Sequence, residues 1–223
     1  MFSLRHFNRY FVWVTIAGVF LPIGGIVFLS IIHDIQMETL TKDIAALVQI
    51  HPLAGVLSHF GVLLWWMSTS VWIFSALLHL AAGAREEIGF KLSSAVFSMY
   101  LAFDDFFLIH ESLAPRYLHL PEGVVVGAIV VGALAYVWFF RRMIFRKDGL
   151  WLAAALGFLG ASSALDALAD AWLQSLAGWG VLLEEASKWA GIVCWCIYGL
   201  ARCLADGLAL SGVREHPDHA VND

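Results

Sequence analysis

Seven acidic residues stand inside stretches of this 223-residue chain that otherwise have the composition of membrane: Asp104, Asp105, Glu111, Asp166, Asp170, Glu184 and Glu185. A carboxylate at the centre of a membrane helix costs about 2.5–3.5 kcal/mol on insertion scales, so acids in such places hold cations, share protons or form buried ion pairs. His59 and His110 belong to the same stretches, and the nearby cation is Lys188. Carboxylates and imidazoles are the donor set of Zn, Fe and Mn sites, and metal sites in helical bundles draw such residues from facing helices. His59, His110, Glu111, Asp105, Asp166 and Asp170 are therefore candidate metal ligands. Glu184, Glu185 and Asp104 are candidate catalytic acids and bases.

A divalent metal held there could activate water for hydrolysis or, as an iron pair, oxygen. The first functional expectation is thus a membrane-embedded enzyme of hydrolase or di-metal oxidase type. A second is a non-catalytic accessory or scaffold subunit of a larger membrane complex. Lys188 follows Glu184 by four and Glu185 by three, an ordinary intrahelical ion-pair spacing. A third is proton- or cation-coupled transport, although below the level of the acids the third, fifth and sixth spans offer Ser93, Ser94, Ser98 and Tyr100 but no acid until Asp206.

The elements that must position these groups follow from composition. The chain is 61% hydrophobic and 14% charged, with mean hydropathy +0.79, where a soluble domain carries about 25% charge. A span needs about 20 apolar residues. Six segments qualify: Tyr10–Ile32, Ala54–Ala82, Lys91–Leu113, Gly123–Phe140, Leu150–Leu173 and Gly180–Leu204. The first exceeds the roughly 7–15 residues of a signal-peptide core and reads as a retained helix. The expected fold is an all-α polytopic bundle of six transmembrane helices over residues 1–211, with a polar cytoplasmic tail at 212–223. Between the first two spans, Met37, Leu40, Ile44, Leu47 and Val48 recur at helical spacing, which suggests an amphipathic helix on the outer interface.

Alternating the loops puts Arg5, Arg9, Arg85, Lys91, Arg141, Arg142, Arg146, Lys147, Arg202 and Arg214 on one side and Lys42, Arg116 and Lys188 on the other. This asymmetry predicts an inner (plasma) membrane protein with both termini cytoplasmic. Its expected partners are the bilayer, other membrane subunits and a lipid or membrane-protein substrate, not nucleic acid.

With that orientation and a rise of about 1.5 Å per residue, the acids converge in depth. His59, His110, Glu111, Asp170, Glu184 and Glu185 share one level near the outer face. Asp104, Asp105, Asp166 and Lys188 lie a turn or two deeper. Ala153, Gly157 and Ala161 recur at four-residue spacing, which predicts close approach and a central place for the fifth span. The fourth span, without an acid after Glu122, is expected to face lipid or a partner. His79 reads as an interfacial anchor. Ser68 and Ser70 read as back-bonding to their own helix, and Cys194, Cys196 and Cys203 as apolar filler.

Two short strings resemble a known group. Glu184-Glu185-Ala-Ser-Lys188 resembles the Glu-Glu-x-x-Lys motif of PrsW-type intramembrane proteases, relatives of the CAAX-protease group. Phe107-Leu-Ile-His-Glu111 resembles that group's Phe-x-x-x-Glu pattern. The resemblance implies glutamate- or metal-based hydrolysis within the membrane. The two strings stand here in the reverse of the group's order, so the resemblance assigns no family.

Overall fold

With little water to satisfy N–H and C=O groups, long apolar segments close their hydrogen bonds internally, and the helix is the local solution. The computed structural model describes residues 4–42, 44–85, 87–144, 149–172 and 179–211, and every element among them is helical. The chain divides into two units, residues 1–56 and 57–223.

In the first unit, α1 runs Leu4–His33 with Pro22 inside it. It ends where Asp34 takes a positive φ of 50°, and Ser30 Oγ donates to the Ile35 carbonyl at 2.8 Å. The amphipathic segment is not one helix but two of five residues, α2 (Met37–Thr41) and α3 (Ile44–Val48).

The second unit holds α4 (Val56–Ala81), α5 (Ile88–Phe107), a π-helix (Ile109–Leu113), α6 (Ala114–Tyr117), α7 (Glu122–Ile144), α8 (Gly149–Trp172) and α9 (Trp179–Ser211). Four of these helices, α4, α7, α8 and α9, are long and apolar enough to cross a membrane. A fifth span results if α5 and the helical piece after it, bent by 58°, count as one. Length and composition are thus those of a multi-pass membrane protein, with four or five spans among the described residues. In α1, the apolar described stretch Val19–His33 is shorter.

The core is aromatic and lies between α4, α5, α7 and α9. Trp65 and Trp72 on α4, Phe90 on α5, and Trp195 and Tyr198 on α9 are buried, and the spacings of seven on α4 and three on α9 set the inner faces of those two helices. Trp72 meets Phe90 edge-on at 5.4 Å, and Phe97 stacks on Tyr136 at 5.9 Å. Gly199 leaves room for Trp72, whose Nε1 lies 3.1 Å from where a Cβ would stand.

Two sequence expectations change here. The small-residue row of α8 does not face the bundle: Ala153, Gly157 and Ala161 are exposed, and nothing lies within 4 Å of a Cβ placed on Gly157. The close approach of α8 and α9 is made instead by Gly191, against Leu159. His79 is buried rather than interfacial, with Nδ1 3.0 Å from the Ser75 carbonyl. Other readings match the structure. The hydroxyls of Ser68 and Ser70 bond to carbonyls four residues back, the three cysteines are free, and α7 is the least buried of the four spanning helices.

Candidate functional site

The site begins where α5 stops being an α-helix. Leu108 adopts left-handed angles, φ 51° and ψ 49°, and its N–H donates to the Asp104 carbonyl. A non-glycine residue in that region is costly and tends to mark functional geometry, as do π-helical turns. The N–H groups of both Ser112 and Leu113 then converge on the Leu108 carbonyl, at 2.9 and 3.0 Å.

This break carries His110 back over the last turn of α5. Its backbone N–H donates to Asp104 Oδ1 at 3.1 Å, and its Nδ1 lies 2.6 Å from Asp104 Oδ2. Asp104 is buried and held by both contacts. With Nδ1 donating to a carboxylate, the neutral imidazole keeps its lone pair on Nε2. Nε2 stands 3.5 Å from Glu111 Oε1. A straight helix would have put Asp104 and Glu111, seven apart, on one face; the break makes His110 the partner of both.

Asp105 is fixed differently. Lys188 Nζ on α9 reaches its Oδ1 at 2.8 Å, and the Trp65 indole on α4 donates to its Oδ2 at 2.9 Å. The intrahelical Glu184–Lys188 spacing is thus not where Lys188 makes its ion pair.

These groups line one cavity of about 290 Å³. Its polar residues are Asp104, Asp105, His110 and Glu111 from α5 and the π-helix, Ser162, Ser163 and Asp166 from α8, and Glu184, Glu185 and Lys188 from α9. The residues brought together by depth therefore share a wall, with two exceptions. His59 is exposed on α4 and does not line the cavity. The side chain of Asp170 lies outside the described residues, as does the tail at 212–223. Among the described residues, Asp166, Glu184 and Glu185 make no ion pair. No three of the cavity's His, Asp and Glu donor atoms lie within 4.8 Å of one another in that set.

Residues 11–202, most of the chain and all of the cavity wall, match the model for a domain of unknown function, DUF8692. The chain belongs to the DUF8692 family. Neither a curated protein nor a solved structure matches it.

The DUF8692 chain also holds a second ionic cluster, at the opposite ends of α5 and α9. His79, Glu87 and Asp206 place donor atoms within 4.8 Å of one another, a geometry open to a metal ion. A lysine already stands there: Lys91, fully buried, pairs with Asp206 and lies 3.6 Å from Glu87 Oε2. Arg202, also buried, reaches Glu87 at 3.3 Å and lies over the Phe90 ring at 5.7 Å. Two cations against two carboxylates balance, as a buried structural network requires. Sequence reasoning read these residues as loop or helix-end charges. The four-residue spacings Glu87–Lys91 and Arg202–Asp206 were the signal that marks them as one inward-facing set.

Proposed function

We propose that this DUF8692 member is a multi-pass inner-membrane enzyme whose acidic cavity takes up a divalent cation and whose His110, oriented by Asp104, carries the proton transfer of a hydrolytic reaction. The observation that carries this reading is the charge of the cavity. Six carboxylates face one lysine and one histidine, and three of the acids make no ion pair among the described residues. Unpaired carboxylates at membrane depth call for a cation or for protons. Glu111 is the natural first ligand, with Asp166, Glu184 and Glu185 sharing the cavity wall with it, while His110 Nε2 stays off the ion to take the proton. The carboxylates would have to swing inward for three donors to meet. Asp105, already shared by Lys188 and Trp65, supports the wall rather than the ion. Such a cation would supply an acidified water, and His110, backed by the Asp104 carboxylate and free at Nε2, is suited to receive its proton.

The same reading adds α1 as a further span, six in all, with the Arg141–Arg142 side and the termini cytoplasmic, in keeping with the lysine and arginine asymmetry. The donor types suit Zn, Fe or Mn. Metal analysis of purified protein in nanodiscs is the test. Stoichiometric uptake that falls at least tenfold in Glu184→Gln and Glu111→Gln supports the reading. No uptake, with both variants indistinguishable from the parent, overturns it.

A second reading is favoured by Asp105, whose two partners pin α4, α5 and α9 together. On that reading the ion pairs are structural and the protein is an accessory subunit. A transport path is less well supported, because Trp72, Trp195, Tyr198 and Phe90 fill the bundle between the two ionic clusters.

A further inference from the structure

The cavity has two chemically distinct ends. Its carboxylates gather at one of them, around Asp105, Glu111 and Glu184. Apart from Ser162 and Ser163, the rest of its wall is apolar, supplied by α7 from Val126 to Val137, by Leu156 and Leu159 on α8, and by Trp65, Phe97 and Leu101. From Leu156 to Asp166 is ten residues of helix, about 15 Å. An apolar stem of that length therefore leads to the polar end. On the α7 side the stem is open: Val130 is 47% and Leu134 65% exposed. For a helix of this composition, that exposed side meets lipid tails.

We infer that the cavity binds a single-chain membrane amphiphile with an ammonium headgroup, its alkyl chain in the stem beside α7 and its headgroup among the carboxylates. This rests on the proposed cation-binding role of the same cavity and names the class of ligand the cavity takes. Shape selects the chain, and charge selects the head. Six carboxylates against one lysine leave five formal negative charges, and a single divalent ion would still leave three. A phosphate or sulfate head meets like charge there, and like-charge juxtaposition selects against it. An ammonium replaces the missing counter-cation of Asp166, Glu184 and Glu185. Access is sideways, between α7 and α8, so the chain need not leave the apolar phase.

The test uses the full chain in zwitterionic nanodiscs and two photoreactive probes, an alkylamine and the matching alkyl sulfate, each with a diazirine in mid-chain. The amine should label Ala133, Leu156 or Leu159 about tenfold more than the sulfate does, the equivalent of about 1.4 kcal/mol. The excess should be lost in Glu184→Gln/Glu185→Gln. It should also be lost in Ala133→Leu, which fills the stem while leaving metal uptake unchanged. Because a filled stem can disturb folding, Val131→Leu, on the exposed side of α7, serves as the control and should label as the parent does. Equal labelling by both probes, or labelling confined to the outer face of α7, overturns the inference. Metal uptake measured on the same samples separates the two failures. Uptake without amine selectivity removes the amphiphile and leaves the cation site. Loss of both removes the site itself.

Discussion

Lys188 Nζ lies 2.8 Å from Asp105 Oδ1, joining α9 to α5 at the polar end of the cavity. Asp105 is 8% exposed and Lys188 26%, so the pair is shielded from water without being sealed. Removing one partner of a buried pair leaves the other uncompensated and costs about 3–5 kcal/mol. Lys188→Met is expected at the low end, about 3 kcal/mol, given the exposure of the lysine. Lys188→Met/Asp105→Asn should recover most of that loss. Reversible unfolding in mixed micelles measures the cycle. Single variants within about 0.5 kcal/mol of the parent would mean that the pair behaves as a surface contact.

Depth was legible in the sequence, and rotation was not. Counting residues along oriented spans brought Asp104, Asp105, His110, Glu111, Asp166, Glu184 and Glu185 to neighbouring levels, and all of them line one cavity. The same count included His59, which shares the level but faces away, because α4 turns Trp65 and Trp72 inward instead. In a helix apolar all round, polarity does not say which side is buried. That also explains α8, whose small residues face out. The break at Leu108 has no glycine or proline to announce it, so the Asp104–His110 pairing could not be read from spacing. The inner cluster was missed because a length rule ends each span near its first charges, and Lys91, Arg202 and Asp206 lie there.

Lys91 occupies the place that a metal would take among His79, Glu87 and Asp206. Lys91→Met should therefore cost about 3–5 kcal/mol and open the three donors to a divalent ion. Excess Zn²⁺ should then restore part of the stability, about 2.7 kcal/mol at a hundred times the dissociation constant. Thermal unfolding with and without zinc reads this out. The zinc-dependent rise should disappear when Asp206→Asn is added. A parent protein with an equal rise, itself lost on Asp206→Asn alone, would show that the lysine does not fill the site.

Leu108 holds its left-handed angles without the freedom of glycine. That conformation costs an L-residue about 1–2 kcal/mol, and glycine adopts it freely. The Leu108 side chain is 45% exposed, so little packing is lost on its removal. Leu108→Gly should be as stable as the parent or up to about 1 kcal/mol more stable. Leu108→Val, β-branched, should be less stable by a similar amount. Thermal unfolding of the two variants checks the order. A reversed order would mean that the chain around His110 does not rest on this turn.

Gly191 and Gly157 make opposite predictions for the same substitution. A Cβ on Gly191 would stand 2.7 Å from Leu159 Cγ and 3.0 Å from the Leu159 backbone nitrogen. The second contact is with backbone, which cannot rotate away, so α8 and α9 would have to part. Gly191→Ala should cost about 1–3 kcal/mol, the usual penalty of overpacking. It should also disturb the cavity, since Leu159 on α8 and Lys188 on α9 both line it. Gly157→Ala meets nothing within 4 Å and should gain about 0.5–1 kcal/mol from the better helix former. Unfolding of the two variants, with metal uptake measured on each, tests the packing directly. If Gly157→Ala were the damaging one, the small-residue row of α8, and not the Gly191–Leu159 seam, would be the true helix contact.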